Sequence, residues 1–261
     1  LPERDLALLT DAAREAGRIA LRFWRRNPQV WDKGGEHGPV TEADLAVNDM
    51  LKARLLAARP DHGWLSEETP DDPVRLAHAS VFIIDPIDGT RAFIAGEETF
   101  AHSLAIAHQG RVTAGVVFLP ALDRIYVASE SSPPLKDGQP ITASRRDRLD
   151  GANILTTKAN LGPERWPGGV PEIERHFRAS LAYRLCLAAE GRFDGMLTLR
   201  DAWEWDIAAG SLIAAKAGLA VTDRHGAELR FNTPGAMAEG VLALPAAPHA
   251  EALRRLTPPR T

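Results

Sequence analysis

The chain predicts a mixed α/β fold, and three observations carry that expectation. Two amphipathic helical patterns open the sequence, a group of short apolar strands follows residue 80, and helices alternate with strands after residue 150. In the first pattern Leu6, Leu9, Ala13, Ala16, Ala20 and Phe23 recur at helical spacing. A second helix is expected from Leu45, Asn48, Leu51, Leu55 and Leu56, ending before Pro60. Between them, Lys33-Gly34-Gly35-Glu36-His37-Gly38 has three glycines and no periodicity. It reads as a flexible loop and lacks the Gly-Lys-Ser/Thr of a phosphate-binding P-loop.

Val81-Phe82-Ile83-Ile84 is a continuous apolar run of strand-forming residues, so Asp85 is expected where a buried strand emerges. Strands at 103–107, 115–119 and 125–128, parted by turn signals at Gln109-Gly110 and Pro120, predict an antiparallel meander. The second half predicts a strand at 154–157, a helix at 181–190, a strand at 196–199, a helix at 206–217, and strands at 220–222 and 240–244. A division near residue 150 would separate an N-terminal half (1–150) from a C-terminal half (151–261).

Composition places few obstacles and removes several functions. A chain of 261 residues with 44% hydrophobic content can bury a substantial core. Its formal net charge of −4 gives no electrostatic reason to expect nucleic acid, and short basic runs such as Arg145-Arg146 read as solvated surface. No apolar stretch is long enough to span a bilayer, and Leu1-Pro2-Glu3-Arg4-Asp5 lacks the regions of a signal peptide. The chain does not begin with Met, which leaves a removed leader open. A single cysteine, Cys186, permits no internal disulfide and suits a reducing cytoplasm. The eight histidines form no zinc motif.

The richest stretch is Asp85-Pro86-Ile87-Asp88-Gly89-Thr90. Two carboxylates flank a proline-bent backbone and can converge on a cation, while the amides of Gly89 and Thr90, if they open a helix, face an anion. Asp-Pro and Asp-Gly are also ordinary turn dipeptides, so the stretch alone leaves a purely structural turn open. Two more acidic segments lie beside bulky apolar residues: Trp64-Leu65-Ser66-Glu67-Glu68 and Trp203-Glu204-Trp205-Asp206-Ile207-Ala208-Ala209-Gly210. Charges in such company are paired or bind metal.

These segments, in this order and spacing, together with Phe93 and with Lys33 ahead of Val40-Thr41-Glu42-Ala43-Asp44, resemble the inositol monophosphatase superfamily of metal-dependent, lithium-sensitive phosphatases. The resemblance implies a five-layer αβαβα sandwich of the sugar-phosphatase type. It implies two Mg²⁺ ions, with Mn²⁺ as a substitute and a weaker third site near Lys33. Asp85 would bridge the ions, Glu67 and the Ile87 carbonyl would complete the first site, and Asp88 with Asp206 the second. The nucleophile would be a metal-activated water oriented by Thr90 and Glu67, with Asp44 as the partner of Thr90. Lys33, Gly89, Thr90 and Arg91 would face the phosphate or the rest of the substrate. A homodimer is also common in the family.

Structural alternatives accompany several of these roles. Thr41 to Asp44 spells a capping box, and one carboxylate is not expected to serve both a cap and Thr90 in full. A lone Lys before a glycine loop, such as Lys33, is more often solvated. Trp203 and Trp205 read as core or cleft wall, Glu204 as a possible substrate contact, and Glu190 as the structural end of a helix.

For substrate, inositol-specific members carry a Glu seven residues before the Trp-Asp aspartate, where this chain has Leu199. Arg91-Ala92-Phe93-Ile94 is closer to the Lys-x-Phe-Ile of the 3'(2'),5'-bisphosphate nucleotidase branch, and a cation at 91 could pair with a second phosphate. The expected function is hydrolysis of a small phosphorylated metabolite, a bisphosphate nucleotide ahead of an inositol phosphate. A third reading, of another class, is a phosphatase-like protein that binds a protein partner without turnover. Haloacid-dehalogenase-like chemistry needs aspartates two apart on one strand face, and here Asp85 and Asp88 are three apart.

Overall fold

The structure is a computed structural model that describes residues 2–34 and 38–257. Residues 35–37 of the expected glycine loop lie outside the described residues. In chain order come α1 (Pro2–Phe23), β1 (Val30–Asp32), β2 (Pro39–Thr41), α2 (Glu42–Ala58), β3 (Gly63–Ser66), β4 (Ser80–Asp88), α3 (Thr90–Ile94), β5 (Ala101–His108), β6 (Arg111–Leu119), β7 (Arg124–Ser129), β8 (Ser132–Lys136) and β9 (Gln139–Pro140). They continue with β10 (Asn153–Leu155), β11 (Glu174–His176), α4 (Leu181–Ala189), β12 (Gly195–Thr198), β13 (Ala202–Trp203), α5 (Glu204–Lys216), β14 (Ala220–Thr222), β15 (Met237–Ala238), β16 (Val241–Leu244) and α6 (Ala246–Leu256).

Alternation along single strands builds the layers. In β4, Phe82 and Ile84 enter a core with Leu9, Ala13, Leu51 and Leu55 of α1 and α2, while Val81 and Ile83 enter another with Leu185, Ala208 and Ile213 of α4 and α5. In β16, Val241 and Ala243 join that same middle core. Leu242 and Leu244 face a third core with Leu197, Trp166 and Ala252 of α6. The order is therefore helices, sheet, helices, sheet, helix, the five-layer αβαβα sandwich expected from the family resemblance.

The first sheet has the order β3-β4-β5-β6-β7-β8-β9, with β3 parallel to β4 and the rest antiparallel, so the meander is present as read. The second has the order β11-β10-β12-β16-β14. Two differences from the sequence reading stand out. Strand β4 does not end at Asp85 but runs on through Asp88. A C-terminal helix, α6, also follows Pro245, its buried Pro248 and Ala252 and its half-buried Leu256 forming an apolar face that had not been read as a helix.

Close backbone approach fixes α5, the helix that carries Asp206. A Cβ on Gly115 of β6 would stand 2.9 Å from Ala209 Cα and 3.0 Å from its carbonyl oxygen, and one on Gly210 would stand 2.7 Å from Leu185 Cβ. Helix α5 is thus seated between β6 and α4 with no room for a methyl group. Gly115→Ala is expected to lower unfolding free energy by about 1–3 kcal/mol through overpacking. Urea denaturation checks this, and an unchanged midpoint would show that the seat is looser than its geometry.

Candidate active site

Pro86 has no N–H to give to the β4 and β5 ladder, and the pairing slips there. Asp85 stands opposite Ser103, but Asp88 stands opposite Ala101, so three steps on β4 match two on β5. In a regular strand residues three apart point to opposite faces, and the extra residue of this bulge turns Asp85 and Asp88 to the same side. The ring of His102, fully buried near Phe100 and Phe118, donates from Nδ1 to the Pro86 carbonyl and pins the bulge.

Asp206, in the first turn of α5, meets them from the other half of the chain. Carboxylate oxygens of Asp85, Asp88 and Asp206 all lie within 4.8 Å of one another. Asp88 is held in place, its Oδ2 accepting from Ser180 Oγ at 2.6 Å and from the Ala182 amide at 2.7 Å. Asp85 is 1% exposed, and its Oδ1 has no hydrogen-bond partner among the described residues. Burial raises the pKa of Asp85 well above the usual carboxylate range, and the charges of Glu67, Asp88 and Asp206 push it further. Asp206 is raised by burial, then by Asp88 and Glu67, with Arg200 and Arg184 opposing.

Two unit charges about 4 Å apart repel by roughly 4 kcal/mol at an effective dielectric of about 20. The donors are hard oxygens without His or Cys, and the orphaned Asp85 oxygen is a buried acceptor with nothing to accept. Both features fit a hard divalent cation.

Glu67 follows β3, its amide donating to the Ile84 carbonyl at 3.2 Å. Lys33 Nζ donates to Glu67 at 2.8 Å and to Glu68 at 2.9 Å, so this lysine is paired and not a solvated loop residue. Burial raises Glu67 while Lys33 opposes the shift.

Asp44 resolves the choice between cap and site by dividing its oxygens. Oδ2 accepts from the Thr41 amide at 2.8 Å and from Thr41 Oγ1 at 2.5 Å, completing the capping box of α2. Oδ1 faces Thr90 Oγ1 at 3.4 Å, and that hydroxyl also lies 3.1 Å from the Ile87 carbonyl. One carboxylate serves both places because each needs a different oxygen. Burial pushes Asp44 up to about 7.

Gly89 caps the five-residue α3 at φ 95°, a left-handed backbone that an L side chain rarely adopts. Arg91 is exposed on α3, and its guanidinium lies near Gly38. Trp203 and Trp205 stack at 4.7 Å and, with Lys33, Glu67 and Glu68, wall a cavity of about 480 Å³. Trp205 also belongs to the middle core, so both readings of the tryptophans apply.

Glu204 does not reach a substrate. It is fully buried, accepting from the Asn232 amide at 2.6 Å and from the Thr233 amide at 2.8 Å. The reason is its place at the start of α5, where an acid ties the 232–236 loop to the helix. Glu190 is structural as read, bonded to Tyr126 and Lys136. Sequence reasoning missed Ser180, which caps α4 and holds Asp88. A Ser just before the apolar run at 181 is an N-cap signal that could have found it. His102 left no such signal, since its role depends on the bulge.

A sequence model described as the inositol monophosphatase family matches residues 2–257. The chain is 34% identical over 233 residues to the inositol-1-monophosphatase of Rhizobium meliloti, covering 85% of this chain and 86% of that one. It is 28% identical over 223 residues to the 3'(2'),5'-bisphosphate nucleotidase CysQ of Salmonella typhimurium, covering 84% and 90%. The solved Thermotoga maritima IMPase superposes with a TM-score of 0.81 at 28% identity, over 98% of this chain and 97% of that one.

Burial lowers the His102 pKa to about 4, against 6.5 for an open imidazole. The folded state therefore keeps His102 neutral while the unfolded chain protonates below about pH 6.5. The stability this neutrality confers is present above pH 6.5 and is lost, by about 3 kcal/mol, as pH falls toward 4. In urea melts across this window the wild type should lose that much relative to His102→Gln. A pH-independent difference between the two would contradict the assignment.

Proposed function

The chain belongs to the inositol monophosphatase family, and on that premise we propose that it is a Mg²⁺-dependent phosphomonoesterase that hydrolyses a small phosphorylated metabolite. The observation that carries this reading is the convergence of Asp85, Asp88 and Asp206 around an orphaned Asp85 oxygen. Two Mg²⁺ ions, for which Mn²⁺ can substitute, would be held by Glu67, Asp85 and the Ile87 carbonyl and by Asp85, Asp88 and Asp206, and would supply Lewis-acid polarisation of the phosphoryl group and of water.

The chain's own groups then handle position and protons. Thr90 Oγ1 accepts the proton of the attacking water as it donates its own to Asp44 Oδ1. A carboxyl raised to about 7 can hold such a proton near neutral pH. Glu67 orients the same water, and Lys33 balances the Glu67 and Glu68 charges while facing the phosphate. The Gly89 and Thr90 amides and Arg91 are assigned to the substrate side. The single cysteine is free and buried, which suits a cytoplasmic enzyme; no helix of the described residues is long and apolar enough to cross a membrane.

For the substrate, the proposal is a bisphosphate nucleotide. Leu199 is 3% exposed and packs with Trp166 and Leu242, so the position that would bind a polyol hydroxyl is part of the core. The relative from Rhizobium meliloti, named an inositol-1-monophosphatase, supports inositol phosphate as the second reading.

Asp85→Asn is expected to cut Mg²⁺-dependent phosphate release by about a thousandfold or more, while heat stability holds or rises because a buried repelling charge is gone. Retained turnover would remove Asp85 from the mechanism. In kcat/KM, adenosine 3',5'-bisphosphate should exceed inositol 1-phosphate by roughly tenfold. The reverse order selects the inositol reading, and no phosphate release across a broad panel selects a binding role without turnover.

A further inference from the structure

A cavity of about 510 Å³ is lined by arginines that the phosphatase reading does not use. Leu199 and Arg200 come from the connection between β12 and β13, Arg165 from the 3-10 turn Pro163–Arg165, and Arg224 with His225 from the turn after β14. The Leu199 side chain is in the core, but its carbonyl gathers two guanidinium groups, Arg165 Nη1 at 3.4 Å and Arg224 Nη1 at 3.3 Å. Both arginines are thereby oriented around one oxygen at the edge of the cavity.

Their charges are not equally committed. Arg224 is paired with Asp201 at 2.5 Å and with Glu239 at 3.4 Å, so it is fixed and largely neutralised. His225 also faces Glu239, at 3.5 Å. Arg165 has only exposed Glu164 at 3.9 Å. Arg200 is exposed and has no hydrogen bond or ion pair among the described residues, while its charge reaches Asp206 and Arg184. Arg200 stands on the short connection that leads from this cavity through β13 into α5, six residues before Asp206, and its guanidinium is uncommitted. A guanidinium presents parallel N–H donors that match the oxygens of a phosphate.

We propose that this cavity is a subsite for a second phosphate on the leaving group, bound by Arg200 and Arg165, with Arg224 holding the wall behind them. The inference rests on the phosphatase reading and deepens it. It moves the second phosphate from Arg91, whose guanidinium lies near Gly38, to a cavity where Arg200 and Arg165 outnumber the one lining carboxylate, Asp201, which Arg224 already pairs. The scissile phosphate stays at the acidic cluster, and no step of the chemistry changes.

The test uses the full chain with Mg²⁺ and two substrate pairs: adenosine 3',5'-bisphosphate against adenosine 3'-monophosphate, and fructose 1,6-bisphosphate against fructose 1-phosphate. The wild type should favour the bisphosphate of at least one pair by about tenfold or more in kcat/KM. The pair that shows the preference tells whether the second phosphate rides on a nucleoside or on a sugar. In Arg200→Gln, and further in Arg200→Gln/Arg165→Gln, that ratio should fall about tenfold, mainly through KM, with melting temperatures near wild type because both side chains are exposed. Arg91→Gln should leave the ratio within about threefold. Release of phosphate with a ratio near one in both pairs, or a ratio that survives the double variant, overturns the subsite alone. No release from any of the four substrates overturns the subsite, and no release from inositol 1-phosphate either overturns the phosphatase reading with it.

Discussion

Electrostatic repulsion among buried carboxylates is the constraint on which the rest of this molecule depends. Asp85, Asp88 and Asp206 are pressed together with Glu67 close by, and burial removes the water that would screen them. Left alone, such a group destabilises the fold, and removal of one charge should relieve it. The hard oxygen donors and their crowded charge fit a small divalent cation, which would turn the repulsion into binding energy.

The scaffold can be understood as the means of enforcing that proximity. The bulge at Pro86 brings two carboxylates of one strand to one side, with His102 holding the Pro86 carbonyl beneath them. The third carboxylate arrives on α5, which is clamped by glycine contacts to β6 and α4. Ser180 begins α4 and at the same time holds Asp88. The middle helical layer thus shares in both sheets and in the site, so the acids cannot relax apart without loss of core packing.

Much of this was legible in the residues themselves. The helical spacing of Leu9, Ala13, Leu51 and Leu55, the meander, and the acidic motifs around Asp85 and Asp206 all follow from short-range patterns. What escaped depends on tertiary context. Asp85 seemed to end its strand because the apolar run stops at Ile84, yet the ladder resumes after a bulge at Pro86, and no local rule says where pairing will resume. Glu204 looked free to meet a substrate because neighbouring tryptophans suggested a cleft. Its real partners, the Asn232 and Thr233 amides, lie nearly thirty residues away. The division of labour within Asp44 was also out of reach, since a sequence names a carboxylate but not which oxygen faces which neighbour. The arginines of the second cavity are scattered from 165 to 224 and form a group only in space.

The most direct measurement is an anomalous-scattering experiment on crystals grown with Mn²⁺. A strong peak bonded to oxygens of Asp85, Asp88 and Asp206 is expected. A map with no peak among these three carboxylates, at Mn²⁺ concentrations that support phosphate release, would contradict it.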